Sequence, residues 1–153
     1  NFWIENKRKE LLRLFPHVDV LLVNFTEAKM LSKESNILSV GKALQKMGPR
    51  CVVIKKGEHG VVLFLPSSVF AVPACLLETV YDPTGAGDTF AGGFIGYCAQ
   101  QKKITQTVLK KAVVTGSVMA TFAVEDFSVR RLDAISKRDV TKRINELNKL
   151  TNF

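Results

Sequence analysis

Two short apolar runs do most to limit the folds open to this chain. VDVLLV at 18–23 and CVVIKK at 51–56 are rich in β-branched and aliphatic residues and bounded by breakers, so each reads as a buried strand. Between them, residues 24–33 read as a short helix. A second helix at 37–47 is capped by Asn36 and ended by Gly48-Pro49. Strand, helices and strand in this order imply an α/β sheet with parallel central strands. GEHG at 57–60 then turns the chain into VVLFL at 61–65, and Pro66-Ser67-Ser68 turns it again into VFAVPA, which adds a hairpin.

The flanks are helical. WIENKRKELLRLF at 3–15 carries its apolar residues among charges and is stopped by Pro16. After Pro83 the pattern predicts helices over 86–101, 105–122 and 137–149. Thr105 caps the second, and Ser136 with Asp139 opens the third. No repeat, low-complexity tract or linker interrupts the 153 residues, so one domain is expected over 1–153.

Charge and composition narrow the function. A net charge of +8 admits a nucleic-acid partner. However, Lys7, Arg8 and Lys9 lie between Glu5 and Glu10, and the C-terminal basic residues alternate with Asp133, Asp139 and Glu146. That spacing is a solvated helix face, and no nucleic acid is expected. The first residues are charged where a signal peptide is apolar, and no apolar run reaches about 18 residues. No membrane partner follows, and FAGGFIGYCA suits a buried helix. Cys51, Cys75 and Cys98 are odd in number and far apart, which fits reduced thiols in a cytoplasm. The chain starts at Asn1 without Met and enters a helix at once, as a fragment of a longer protein would.

The segment richest in chemistry is Asp82-Pro83-Thr84-Gly85-Ala86-Gly87-Asp88-Thr89-Phe90. Gly85 and Gly87 just before a helical run permit positive φ and close approach of another molecule. A helix start offers N–H groups and a positive dipole end to phosphate oxygens. Asp88 in that first turn reads either as a favourable first-turn acid or as a base that takes a proton from a hydroxyl attacking the phosphate. The dinucleotide fingerprint is not met, because Phe90 stands where its third Gly belongs, and a P-loop lysine is absent.

DPTGAGDTFAGGF resembles the second signature of the ribokinase/PfkB carbohydrate kinase family. The resemblance implies a ribokinase-like three-layer α/β/α sandwich, of which this chain is the C-terminal, mostly parallel, ATP-binding portion. It implies transfer of the ATP γ-phosphate to an alcohol of a sugar or nucleoside. Asp88 matches the family's base, and the amides around Gly85, Ala86 and Gly87 match its anion hole. Asp82 and Thr84 match positions that help bind K+, although Asp82 can equally fix the turn by accepting backbone N–H bonds. The 124–128 turn corresponds to a segment whose carbonyls complete that cation site.

Upstream, Asn24-Phe25-Thr26-Glu27 is similar to the family's N-x-x-E, which implies a hydrated Mg2+ near Asn24 and Glu27. The same two residues also make a capping box. Lys55-Lys56-Gly57-Glu58-His59-Gly60 resembles a turn over the nucleotide phosphates, with Lys55, Gly57 and Gly60 as contacts and His59 at the surface. An ordinary glycine hairpin is its plainer reading. Gly116 and Ser117, with Ala120 and Thr121, sit at helical spacing and match the adenine pocket or else tight helix packing.

ATP, Mg2+ and K+ are thus the implied cofactors, and a homodimer of a full-length parent is compatible with the family. The family's N-terminal half, with its glycine pair, lid and most sugar contacts, is not in these residues, and Asn1 matches the Asn of a D-x-N segment. The isolated chain is therefore expected to be inactive. Two other readings are a non-catalytic nucleotide- or nucleic-acid-binding module and a pyridoxal or hydroxymethylpyrimidine kinase. An intact Asp88 disfavours the first, and the T-G-A-G-D-T-F wording disfavours the second.

Overall fold

A computed structural model describes residues 2–151; Asn1, with its D-x-N match, lies outside them. The described residues form two compact units. One comprises the chain through Gly57 together with Val61–Ala71, and the other comprises Glu58–Gly60 and the chain from Val72 onward.

The first unit begins with helices α1 (Phe2–Asn6) and α2 (Arg8–Leu14) and a 3-10 turn at Phe15–His17. The single helix expected at 3–15 is thus broken at Lys7, whose φ of −131° and ψ of 33° lie outside the helical range. Strand β1 (Val20–Asn24) leads to α3 (Phe25–Ser32) and α4 (Ile37–Lys46), then to β2 (Cys51–Lys55). Strands β3 (Val61–Phe64) and β4 (Val69–Val72) complete a sheet of order β1-β2-β3-β4. β1 and β2 are parallel, joined by the long helical crossover that such a pair requires, and β2 and β3 are antiparallel across the Gly57–His59 turn. Within these residues the sheet is therefore mixed, with one parallel pair extended by the expected hairpin.

Local chemistry accounts for most element ends. The Asn36 side chain accepts the Leu38 and Ser39 N–H groups and starts α4. At the other end of α3, Lys33 takes a left-handed φ of 61°. The Arg8 guanidinium donates to the Met30 carbonyl at 3.0 Å and to the Leu31 carbonyl, satisfying two orphan acceptors of that helix end. The core of this unit joins Val52, Ile54 and Phe64 of the sheet to Ala28, Leu31, Val40 and Leu44 of α3 and α4. Gly41 lies so close to the Phe64 ring that a Cβ has no room there.

The second unit is helical after an irregular stretch at 73–85. It contains α5 (Ala86–Ala99), α6 (Gln106–Val124), α7 (Arg130–Ala134) and α8 (Lys137–Thr151). Helices α5 and α6 approach closely where both carry glycine. A Cβ on Gly93 would lie 2.9 Å from the Met119 side chain, and one on Gly116 would lie 2.8 Å from the Phe90 carbonyl oxygen. Thr105 caps α6 by accepting the Val108 N–H at 3.2 Å. Ser136 and Asp139 exchange side-chain and backbone bonds at the start of α8. A small core of Val118, Phe122 and Leu147 joins α6 to α8.

One expectation needs correction. Of the apolar segment 90–99, only Phe90 and Phe94 are buried, while Ile95 is 58% exposed. Apolar residues surround that helix, but α6 covers one side of it. Helix α6 is long and apolar enough by length and composition to cross a membrane, a property it shares with buried core helices. Lys110 and Lys111 interrupt its apolar run near the N-terminal end. Its face from Leu109 to Ala123 is buried, with Ala112, Val113, Gly116, Val118 and Phe122 all inside.

Candidate functional site

In the first unit the sheet brings three expected residues together. Asn24 ends β1 and Lys55 ends β2, and the two are register partners. They stand at the carboxyl end of the parallel pair, the side of an α/β sheet where ligands bind. Asn24 is also the N-cap of α3. Its Oδ1 accepts the Glu27 N–H at 2.8 Å, and Glu27 Oε2 accepts the Asn24 N–H at 2.9 Å, a complete capping box. A carboxylate keeps acceptor capacity beyond one such bond. Glu27 can therefore cap the helix and hold a metal-bound water at once. No group of three or more His, Cys, Asp or Glu side chains with metal-holding geometry occurs among the described residues.

Beyond Lys55 the chain makes the 3-10 turn Gly57–His59. Gly60 has φ of 81°, and a Cβ on it would run into the Val72–Pro73 backbone. Its identity is set by that close approach. His59 is exposed, and its Nε2 lies 3.5 Å from Oε1 of its neighbour Glu58.

In the second unit, residues 81–89 form the candidate phosphate turn. The Asp82 Oδ1 accepts the Thr84 N–H at 2.8 Å, and this contact with Thr84 holds the Asp82 carboxyl below its usual range. Gly85 follows with φ of 80°, where L side chains are strained, and serves as the N-cap of α5 without any side-chain cap. A Cβ on Gly85 would meet nothing within 4 Å, so the turn is open on that side. The Thr89 N–H makes the first helical bond to the Gly85 carbonyl at 2.9 Å, and the Ala86 N–H makes a long 3.3 Å bond to the Pro83 carbonyl. Gly87 lies within the helix and, unlike Gly85, does not use positive φ. Asp88 is exposed in the first turn.

This turn is fastened to the end of α6. The Val124 carbonyl accepts the Tyr81 N–H at 2.7 Å and the Asp82 N–H at 3.4 Å. With two N–H groups already on it, Val124 has little left to offer a cation, and Asp82 retains only the carboxylate capacity that Thr84 does not use. Nothing in the sequence signalled this tie, because Val124 and Tyr81 carry no polar side-chain motif.

Gly116 and Ser117 lie on the buried face of α6. Packing against Phe90 accounts for Gly116 in full. Ser117 is different: its Oγ is the one buried side-chain polar atom without a hydrogen-bond partner among the described residues. Such orphans are uncommon and costly.

Residues 1–132 match the model of the pfkB family carbohydrate kinases. The chain is 33% identical over 105 residues to the cytidine kinase of Thermococcus kodakarensis, covering 67% of this chain and 37% of that protein. Its fold matches the aminoimidazole riboside kinase of Salmonella enterica, solved with aminoimidazole riboside and an ATP analog, with a TM-score of 0.80 at 21% identity. That match covers 92% of this chain and 46% of the other. It also matches a double mutant of fructokinase from Vibrio cholerae O395, in a form with fructose, ADP and potassium ion bound. Here the TM-score is 0.82 at 20% identity, over 92% of this chain and 45% of the other. The chain thus has the ribokinase fold and spans less than half the length of these relatives. It belongs to the PfkB family of carbohydrate kinases.

Proposed function

We propose that this chain carries the phosphate turn and general base of a kinase that moves the γ-phosphate of ATP to an alcohol of a sugar or nucleoside. The observation that carries the reading is the left-handed Gly85 at an uncapped helix start, with Asp88 exposed in the first turn behind it. Such a start concentrates N–H groups and positive dipole where charge grows on transferred phosphate, while Asp88 is placed to accept a proton. The acceptor hydroxyl oxygen bonds to the γ-phosphorus as its proton passes to Asp88. The bond from γ-phosphorus to the bridging oxygen breaks, and ADP leaves with that electron pair.

In this reading the amides of Gly85, Ala86 and Gly87 form the anion hole. The family resemblance would assign Lys55, Gly57 and Gly60 to the phosphates and Gly116 and Ser117 to the adenine. Mg2+, when bound, neutralises phosphate charge through water on Asn24 and Glu27. K+ would take the remaining capacity of Asp82 and Thr84. The sugar and nucleoside class is supported by the names of the relatives, which include a cytidine kinase and a nucleoside kinase. Both units are portions of one kinase domain in this proposal. Incubating the full-length protein with γ-labelled ATP, Mg2+ and a panel of sugars and nucleosides tests it. Label should move to at least one alcohol; ATP neither consumed nor stabilising the fold would defeat the reading.

A further inference from the structure

Helix α8 lies beyond the residues matched by the family model, which end at 132, yet one of its side chains reaches toward the phosphate turn through a short series of contacts. Arg143 Nη1 lies 2.6 Å from Glu125 Oε1 and donates to Thr121 Oγ1 at 2.8 Å. Its guanidinium stands 3.7 Å from the Phe122 ring centroid. Glu125 also takes Arg131 Nε on its other oxygen at 3.2 Å, and Arg131 faces the same ring at 5.5 Å. One carboxylate thus clamps two guanidiniums around an aromatic ring that is 1% exposed.

Glu125 is the C-cap of α6 and follows Val124, whose carbonyl holds the Tyr81 and Asp82 N–H groups. Asp82 in turn holds Thr84, the residue before Gly85. A helix end without such partners frays, because its last carbonyls lack intrahelical donors, and cations there are favoured by the dipole. We propose that Arg143 is a positioning residue for the phosphate turn: by clamping Glu125 it keeps the last turn of α6 formed, and that turn holds the Tyr81–Thr84 backbone in place. The proposal rests on the reading of residues 85–88 as a nucleotide site. Arg143 touches no reacting atom, so its effect falls on ATP more than on the acceptor.

The test uses the full-length protein with Arg143→Met, which keeps the stem over Phe122 and removes the fork, and Arg143→Lys, which keeps charge without the fork. First, Mg·ATP should raise the melting temperature of the unaltered protein. A lack of any shift refutes the nucleotide-site reading and this proposal with it. Given that shift, Arg143→Met should raise the KM for ATP about tenfold, a modest displacement of a binding backbone. The acceptor KM should change less than twofold. Amide exchange at Tyr81 should speed up about tenfold while Val113, in the middle of α6, keeps its protection. Arg143→Lys should fall between, and it decides on the same readouts should Arg143→Met not fold. A folded variant with unchanged ATP KM and unchanged Tyr81 exchange overturns the proposal. Loss of protection equal at Tyr81 and Val113 overturns it too, because that marks general loosening.

Discussion

Asn24 and Lys55 are register partners at the last position of the parallel β1–β2 pair, although 31 residues of sequence separate them. The capping box at Asn24 and the glycine turn after Lys55 therefore begin side by side at one end of the sheet. The proposed function gives Glu27 a double duty that a single substitution can divide. Gln at the third helical position still fills a capping box, so Glu27→Gln should leave the melting temperature nearly unchanged. It should raise the Mg2+ concentration for half-maximal activity by about tenfold, as losing an outer-shell partner does. Equal Mg2+ dependence in the variant would leave Glu27 with the cap alone.

Gly85→Ala isolates backbone strain. The added Cβ meets nothing within 4 Å, so any cost comes from φ of 80°. Chemical denaturation should show a loss of about 1–2 kcal/mol. An unchanged midpoint would mean that the turn relaxes without Gly.

The other glycines of α5 and α6 separate by their surroundings. Gly116→Ala would drive a Cβ to 2.8 Å from the Phe90 carbonyl oxygen and should destabilise by about 1–3 kcal/mol. Gly92→Ala and Gly96→Ala meet open space and should stabilise the helix by about 0.5–1 kcal/mol each. Thermal melts of the three variants check the ordering, and a stabilising Gly116→Ala would contradict the close approach of these helices.

Acid sensitivity follows from two carboxylates. Asp139 is held below the ordinary range by the Ser136 hydroxyl first and its backbone N–H second, and Asp82 by the Thr84 backbone N–H first and then its hydroxyl. A lowered folded pKa gives stability that is present above the unfolded value, about 3.9, and is lost as pH falls through the folded one. The contribution of these two groups to the melting temperature should be flat from about pH 5 to 8 and fall below about pH 4. Asp139→Asn should remove part of that fall. An identical acid profile in Asp139→Asn would contradict the assignment.

The sequence made legible what short-range chemistry decides. Asn36, Thr105 and Ser136 each cap the helix expected of them, because a side-chain oxygen two or three residues before a free N–H acts locally. The strand–helix–strand alternation translated into the parallel β1–β2 pair because a helical crossover returns the chain in the same direction. What tertiary contacts decide was not visible. Helix α7 at Arg130–Ala134 escaped notice, since five residues show no periodicity and Arg131 is held by the distant Glu125. The half-exposed state of α5 escaped it too, because hydropathy counts apolar residues without saying which side is covered. At the candidate site, the order of Asn24, Lys55 and Asp88 along the chain was plain. The Val124 carbonyl that anchors Tyr81 and Asp82 was not, because backbone acceptors leave no mark in a sequence.

Turnover by Asp88→Asn in the full-length protein tests the central claim most directly. The substitution preserves size and leaves the Gly85 turn in place, so Mg·ATP should bind as before. It removes the proton acceptor, so kcat should fall by about 10²- to 10⁴-fold, the usual worth of a positioned base. A variant that binds ATP normally and turns over at nearly the original rate would show that Asp88 is only a first-turn acid, and that the base of this kinase lies elsewhere.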